Sequence, residues 1–220
     1  MEKLLVTTSL LDSFEFAMNA PPSWKSRAMA DLTGKVRREK MDFPDWVKKG
    51  IAFEDTVYRV CRKAKYLGKN EVTSGSDIFN ELSTMCIGGA FQEVYKIITE
   101  VNGNYVEIYT KHDVNMPDRI FDIKTTLRWR GEDKYLKGWQ HKVYTVAAKK
   151  AIFVYLVVTW EDTYSDKLKS FDIVPYYNEL DSHPEKLKEI QNAISEMSLF
   201  FQNNGLWLDY CNVFSRNVKG

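Results

Sequence analysis

Two residues near the middle of the chain, Asp122 and Lys124, have the types and spacing for hydrolytic chemistry on a phosphate ester. They follow a short apolar run at residues 119–121 that is typical of a strand. Because residues i and i+2 of a strand point to the same face, the carboxylate and the ammonium would project together. A carboxylate in this position can hold a hard cation such as Mg²⁺. The ammonium can orient or activate an attacking water.

A second acidic residue, Asp113, lies upstream, just after a strand-like stretch at residues 105–110. Residues 115–118 read Asn-Met-Pro-Asp and predict a tight turn, which would bring Asp113 back beside Asp122. This is the layout that a metal-dependent phosphodiesterase needs. The alternative is a solvated hairpin with charges on its outer face, since a short Asp-x-Lys pattern is common by chance.

Neighbouring segments supply further polar groups in a suggestive order. Gln140 and Tyr144 are spaced i, i+4 and would share one helical face. Upstream, residues 50–54 run from Gly50 to Glu54 and predict a helix that carries a third carboxylate. Near the start, residues 9–17 predict a short helix ahead of a Pro-Pro stop.

In this order the chain resembles the PD-(D/E)xK nuclease superfamily over about residues 9–158. The RecB-like nucleases are the most similar branch, with lambda-type phage exonucleases and CRISPR-adaptation nucleases as relatives. The resemblance implies an α/β fold with a restriction-endonuclease-like core, in which a central mixed β-sheet is flanked by helices. It predicts one domain over residues 1–220, with its core at about 45–160 and helical additions at both ends.

The resemblance also implies roles for individual residues. Lys124 would be the catalytic lysine, and Gln140 and Tyr144 would form a pair at the rim of the site, facing DNA. Four groups would bind the metal: the side chains of Glu54, Asp113 and Asp122 and the backbone carbonyl of Ile123.

Three positions depart from the family pattern without removing a ligand. Glu54 stands where many RecB-like members have His, Thr110 where a glycine is usual, and Asp122 where Glu is more frequent. Glu93, on the strand before Asp113, is an alternative third carboxylate. Gly50 at the predicted helix start favours Glu54 over Glu93.

Charge is nearly balanced overall, with 31 Lys and Arg against 30 Asp and Glu, yet it is unevenly distributed. Residues 25–69 and 124–150 are basic, whereas residues 161–196 are acidic. Basic flanks around a carboxylate cluster are suited to DNA phosphates. For any single lysine, a solvated helix face is the simpler interpretation. The arginines predicted to contact DNA are Arg37, Arg38, Arg128 and Arg130.

Several other residues invite a functional interpretation. His112 beside Asp113 would face the opposite way on a strand and so contact DNA or solvent, and His141 beside Gln140 would be exposed. Aromatic residues after the Asp-x-Lys strand would stack on bases or belong to the core. These aromatic residues are Trp129, Tyr135 and Trp139.

Cysteine usage and hydropathy exclude several classes of protein. Cys61, Cys86 and Cys211 are scattered and odd in number, which predicts buried thiols and neither a disulfide framework, a zinc site nor a four-cysteine iron–sulfur cluster. No apolar stretch approaches the length of a membrane span. The N-terminus lacks the apolar region of a secretory signal. These features predict a cytoplasmic protein, either bacterial or from a phage-infected host.

The remaining elements follow from periodicity and turn signals. Residues 4–16 and 46–66 are predicted as helices, and residues 91–110 as a hairpin about Asn102-Gly103. Residues 152–160 predict a buried strand, and residues 185–201 an amphipathic helix.

Together these patterns predict a Mg²⁺- or Mn²⁺-dependent deoxyribonuclease, preferably an exonuclease, in phage or bacterial DNA recombination, repair or processing. The partner would be DNA, with a recombinase, single-strand-binding protein or helicase as further candidates and a homo-oligomer as a possible assembly. Because the sequence has no P-loop, any helicase motor would be a separate protein. Two alternatives stay open: a structure-specific endonuclease on DNA or RNA, and a non-catalytic nucleic-acid-binding protein with the same fold.

Overall fold

The strands of the protein form one mixed sheet. The computed structural model describes residues 2–40 and 43–217, and within them seven strands pair in the order β6-β5-β4-β3-β1-β7, with β2 also paired to β3. The β1–β3 and β4–β5 pairs are parallel and the others are antiparallel. The strands are β1 Glu2–Thr7, β2 Ala90–Val101, β3 Asn104–Asn115, β4 Arg119–Thr126, β5 Ile152–Trp160, β6 Leu168–Tyr177 and β7 Ser215–Asn217.

Helices cover both faces of this sheet, so the predicted α/β class with a central mixed sheet flanked by helices is confirmed. Hydrophobic residues of α1, α2, α6, α7 and α8 form one buried cluster, and those of α3 and α4 form a second. In the chain segments that the structure describes, none of the helices is long and apolar enough to span a membrane. The helices are α1 Thr8–Asn19, α2 Pro22–Val36, α3 Asp45–Tyr66, α4 Asp77–Cys86, α5 Asp133–Leu136, α6 Gln140–Ala148, α7 His183–Asn203 and α8 Trp207–Phe214.

Strand β5 shows why the sheet is covered on both sides. Phe153, Tyr155 and Val157 belong to the first cluster, whereas Leu156 and Val158 belong to the second. Alternating residues of a strand point to opposite faces, so a continuous apolar run buries both faces. The buried strand predicted at residues 152–160 is therefore confirmed.

The hairpin of β2 and β3 is confirmed, with Asn102 and Gly103 at the turn. Both have positive φ, 52° and 74°, as a tight hairpin of this kind requires. Strand β3 extends further than predicted and contains Asp113. Its antiparallel pairing with β4, with Val114 opposite Phe121, places Asp113 opposite Asp122.

The predicted helix at residues 4–16 is wrong in its first part. Residues 2–7 form β1, which lies between β3 and β7, and α1 begins only at Thr8. Thr7 marks the boundary, since its hydroxyl accepts a hydrogen bond from the Leu10 N–H at 3.3 Å. A short apolar run such as residues 4–6 fits a buried strand or a helix, and pairing with two strands decides for the strand.

Helix α3, predicted over residues 46–66 and observed over Asp45–Tyr66, packs closely on β4. Gly50 lies within this helix and not at its start. A Cβ atom there would come within 2.5 Å of Thr125 Oγ1, so the glycine allows the close approach. Glu54, one turn further along, is thereby brought to the strand that carries Asp122 and Lys124.

Candidate active site

The side chains of Asp122 and Lys124 meet on β4. Lys124 Nζ lies 2.6 Å from Asp122 Oδ2. The Asp122 side chain is only 1% exposed, whereas that of Lys124 is 34% exposed. The strand therefore presents a partly exposed lysine side chain whose ammonium is anchored on a buried carboxylate.

Asp113 joins this pair from the neighbouring strand. Its Oδ2 accepts a hydrogen bond from the backbone N–H of Ile123 at 2.9 Å, which fixes it against β4. Its carboxyl also lies in hydrogen-bonding contact with the carboxyls of Asp122 and Glu54. Asp113 is thus the central member of three adjoining carboxyls.

Glu54 reaches the site from α3 and is held by two polar neighbours. Its Oε1 accepts hydrogen bonds from Tyr58 Oη and, at 3.1 Å, from Gln92 Nε2. The alternative carboxylate, Glu93, instead accepts hydrogen bonds from Tyr95 Oη at 3.0 Å and from Asn115 Nδ2. The third carboxyl beside Asp113 is therefore Glu54.

Gln140, the first residue of α6, also contacts the buried carboxylate. Its Nε2 donates to Asp122 Oδ1, so Asp122 has one oxygen on Lys124 and the other on Gln140. Gln140 and Tyr144 share a face of α6, as the spacing predicts, but the predicted orientation of Tyr144 toward DNA is wrong. Tyr144 is buried, and its hydroxyl donates to the Lys111 carbonyl at 3.1 Å.

Burial and mutual repulsion make the carboxyls hard to ionise together. Burial raises the pKa of Asp122 to about 7; Lys124 opposes that rise and Asp113 adds to it. Burial also raises the pKa values of Asp113 and Glu54. The charge of Glu54 further raises the pKa of Asp113, and the charge of Asp122 further raises the pKa of Glu54. Burial lowers the pKa of Lys124, but the carboxylates of Asp122 and Asp113 outweigh it and the net pKa is raised. Lys124 is therefore a cation at neutral pH, and additional positive charge would relieve the remaining repulsion.

The donor chemistry at this cluster fits a hard divalent cation. Carboxylate oxygens are the ligands that Mg²⁺ and Mn²⁺ prefer, and here the three carboxyls adjoin, with Asp122 buried and Asp113 and Glu54 partly buried. Over residues 2–40 and 43–217, however, no group of three or more His, Cys, Asp and Glu side chains is arranged to hold a metal ion. A bound ion would use two of the carboxylates together with other oxygen donors, or would displace Lys124 or Gln140 from Asp122.

A cleft of about 570 Å³ opens beside the carboxyl cluster. It is lined by Lys124 and Gln140, the two residues that contact Asp122. One wall is α1 and the other is formed by α5 and the start of α6. Lys134 and Lys137 add positive charge to this cleft. A neighbouring cavity of about 420 Å³ shares Lys134 and is lined by Arg128 and Arg130.

The other two arginines predicted to contact DNA have partners within the protein. Arg37 Nε lies 2.8 Å from Asp209 Oδ2, and the Arg38 guanidinium lies 4.7 Å from the centre of the Phe214 ring. Both contacts join the end of α2 to α8, which packs against β1 and β7 at the sheet edge. Arg128 and Arg130, beside the cleft, are therefore the better candidates for phosphate contacts.

Both histidine predictions are wrong. His112 is fully buried between the rings of Tyr95 and Tyr144, and burial lowers its pKa to about 4. His141 is also fully buried, with Nδ1 3.1 Å from Tyr155 Oη, and burial lowers its pKa to about 4. Neither ring is a solvent-exposed cation at neutral pH.

The thiols and aromatic residues are mostly structural. Cys61 and Cys86 are buried as predicted, and Cys211 is partly buried. Trp129 stacks on the buried Tyr135 with ring centres 5.8 Å apart. Of the two predicted roles, base stacking and core packing, this contact favours core packing for Trp129 and Tyr135.

Sequence reasoning missed two residues of the site, Tyr58 and Gln92. Tyr58 stands four residues after Glu54, and this helical spacing was a readable signal. Gln92 is opposite Asp113 in the hairpin register and has a φ of 60° within β2. A left-handed conformation is unfavourable for a residue with a Cβ, and such strain concentrates at functional sites. Nothing in the sequence marks Gln92.

We expect Gln92→Gly to lower activity without a matching loss of stability. Glycine adopts positive φ freely, so relief of strain offsets the lost amide hydrogen bonds, and the unfolding free energy should change by less than about 1 kcal/mol. The rate of the reaction that this cluster supports should fall about tenfold, because Glu54 loses the Gln92 contact. Single-turnover kinetics and urea denaturation measure the two effects.

Lys149→Gly is the matched control for Gln92→Gly. Lys149 is exposed, has a φ of 53° and ends α6. This variant should be slightly more stable than wild type and should react at the same rate. An unchanged rate in Gln92→Gly as well would remove Gln92 from the site.

No protein-family model and no curated protein matches this chain. Among solved structures, it is similar to an alkaline exonuclease from Laribacter hongkongensis, LHK-Exo, at 12% identity, with 91% of each chain covered and a TM-score of 0.49. A structure of LHK-Exo in complex with dAMP matches at 13% identity over 90% of each chain, with a TM-score of 0.45. The crystal structure of SSO0001 matches at 10% identity over 86% of this chain and 76% of that chain, with a TM-score of 0.47.

Proposed function

We propose that the protein is a metal-dependent deoxyribonuclease that hydrolyses phosphodiester bonds. The observation that carries the proposal is the Asp122–Lys124 pair, with Nζ 2.6 Å from Oδ2, beside the carboxyls of Asp113 and Glu54. A purely structural ion pair does not require two further partly buried carboxyls, which cost stability by desolvation and repulsion. Such an arrangement is typical of a site that binds a cation.

Mg²⁺ or Mn²⁺ would be held by two of the carboxylates of Asp113, Asp122 and Glu54 together with the carbonyl of Ile123, or by all three carboxylates once Lys124 or Gln140 has moved away from Asp122. The ion would supply Lewis acidity and a bound water of lowered pKa. Asp113 is pre-positioned by the Ile123 N–H. Glu54 is oriented by Tyr58 and Gln92.

Lys124 carries the chemistry that the protein itself contributes. Its ammonium is charged at neutral pH and lies at the wall of the cleft, where it can donate hydrogen bonds to a phosphate oxygen or an attacking water. Asp122 fixes the ammonium, and Gln140 fixes the opposite oxygen of Asp122. Preorganised positive charge of this kind stabilises the negative charge that develops on a phosphate during hydrolysis.

The basic groups beside the site define the proposed path of DNA. Lys134 and Lys137 line the cleft, and Arg128 and Arg130 line the adjoining cavity. These side chains would bind phosphates without reading sequence. Arg37 and Arg38 are left out of this path, because their side chains contact α8.

The proposed mode of action is exonucleolytic, because the order of motifs is that of the RecB-like branch, in which exonucleases are frequent. The proposed setting is bacterial or phage DNA recombination, repair or processing in the cytoplasm. A recombinase, single-strand-binding protein or helicase is the kind of partner that this role requires. A homo-oligomer would fit processive digestion.

Digestion of DNA of different topologies tests this function. In Mg²⁺, an end-labelled linear duplex should be degraded to mononucleotides or short products, while circular single-stranded and circular duplex DNA should stay intact. A free end is the only feature that the linear substrate adds, so this outcome identifies an exonuclease. Cleavage of the circles would instead identify an endonuclease, and binding without cleavage of any substrate would favour the non-catalytic alternative.

A further inference from the structure

Helix α1 contacts the start of α6 through a partly buried hydrogen bond. The backbone N–H of Trp139 donates to Asp12 Oδ1 at 2.7 Å. Trp139 directly precedes α6, and the first N–H groups of a helix have no acceptor within the helix. Asp12 therefore caps α6 from a distant part of the chain, and its negative charge also suits the positive end of the helix dipole.

The fit around this hydrogen bond is tight. A Cβ atom on Gly138 would lie 3.1 Å from Asp12 Oδ1, closer than most such contacts. Gly138 therefore lets the chain approach Asp12. The next residue after the capped N–H is Gln140, whose Nε2 contacts Asp122 Oδ1. Trp139, which Asp12 holds, and Gln140, which contacts Asp122, are thus adjacent residues.

Helix α1 is a firm support for this contact. It follows β1 directly, and β1 pairs in parallel with β3, the strand that contains Asp113. Lys35 of α2 also holds α1, since its Nζ donates to the Ser9 carbonyl at 3.1 Å and to Ser13 Oγ at 2.5 Å. By contrast, the segment from β4 to α6 contains only the single-turn helix α5.

We infer that Asp12 is a positioning residue for the reaction: it fixes the start of α6 so that Gln140 holds Asp122 in the orientation that Lys124 requires. The inference rests on the proposed nuclease function for its kinetic consequence, but the contact itself does not. Small displacements of a catalytic group cost large factors in rate, so Asp12 can act through position although it is not a member of the carboxyl cluster.

Three variants distinguish the effect of the Asp12 hydrogen bond from the effect of its charge. Asp12→Ala removes the acceptor, whereas Asp12→Asn keeps an oxygen that can accept from Trp139 and removes only the charge. Asp31→Ala, an exposed carboxylate on α2, is the control. Amide hydrogen exchange of residues 138–148 reports on the cap whether or not the protein is active. Steady-state cleavage of a linear duplex in Mg²⁺ gives kcat and KM.

Asp12→Ala should exchange faster at residues 138–148 and lose about 10- to 100-fold in kcat, with KM within about twofold of wild type. Asp12→Asn should restore most of the protection and most of kcat, and Asp31→Ala should match wild type in both. Equal impairment of Asp12→Asn and Asp12→Ala would overturn the inference, since charge and not the hydrogen bond would then matter.

Two further outcomes would also decide the question. Faster exchange in Asp12→Ala with an unchanged kcat would refute the positioning role and leave a purely structural cap. If wild-type protein cleaves no DNA, the proposed function fails, and the kinetic part of the inference fails with it. The exchange measurement would still show whether Asp12 caps α6.

Discussion

Cleavage of DNA should stop completely when EDTA is added and should return when Mg²⁺ or Mn²⁺ is supplied in excess. The clustered carboxyls of Glu54, Asp113 and Asp122 are hard oxygen donors, and such groups select these cations over softer metals. The raised pKa values give an independent reason, since the carboxyls need positive charge before they ionise together. A gel assay with end-labelled linear DNA measures the effect.

The addition of Mg²⁺ can also be followed by a measurement that does not depend on activity. Mg²⁺ should raise the thermal midpoint of the wild-type protein, because an ion that binds only the folded state stabilises it. Zn²⁺ should not replace Mg²⁺ in the cleavage assay. Undiminished cleavage in EDTA would contradict the assignment of a metal to this cluster.

The second large effect is expected from Lys124→Ala. Loss of the ammonium should reduce the single-turnover cleavage rate by about three orders of magnitude, comparable to the removal of a principal charge-stabilising group. Part of the loss would come through Asp122, because Lys124 lowers the pKa of that carboxyl. Without Lys124, Asp122 would remain protonated to higher pH and would bind a cation less well.

Lys65→Ala is the control for Lys124→Ala. Lys65 is an exposed residue of α3, and its Nζ donates to the Gly88 carbonyl at 3.4 Å. The Lys65→Ala protein should cleave DNA at the wild-type rate. A folded Lys124→Ala protein with a near wild-type rate would make the Asp-x-Lys segment an ordinary pair of strand residues.

The central part of the fold could be predicted because local signals there agree with the tertiary structure. The Asn-Gly turn, the turn at residues 115–118 and the apolar run of β5 each have one strongly favoured interpretation. Together they fix β3 and β4 as neighbours and so place Asp113 opposite Asp122. The β1 strand could not be recognised in the same way, since its partners, β3 and β7, are distant in sequence.

Side-chain environments were harder to infer than strands. The pattern at α6 correctly put Gln140 and Tyr144 on one face, but the sequence does not show that this face packs on the sheet. His112 illustrates the same limit, because its strand face is covered by Tyr95 and Tyr144. Gln92 and Asp12 act through contacts that only the folded chain creates.

The most direct measurement compares cleavage and DNA binding in Asp122→Asn. Asparagine preserves the size of the side chain but removes the charge that would hold the metal and that pairs with Lys124 at 2.6 Å. The protein should fold normally, because a buried carboxyl that repels its neighbours has been made neutral.

Cleavage of a linear duplex in Mg²⁺ should fall by about three orders of magnitude or more, since the metal and Lys124 both depend on Asp122. Binding to the same DNA without metal should be retained or become tighter, because repulsion between Asp122 and phosphates is relieved. Loss of cleavage with retained binding is the result expected of a metal-dependent nuclease. Near wild-type cleavage by a folded Asp122→Asn protein would contradict it and move the chemistry away from β4.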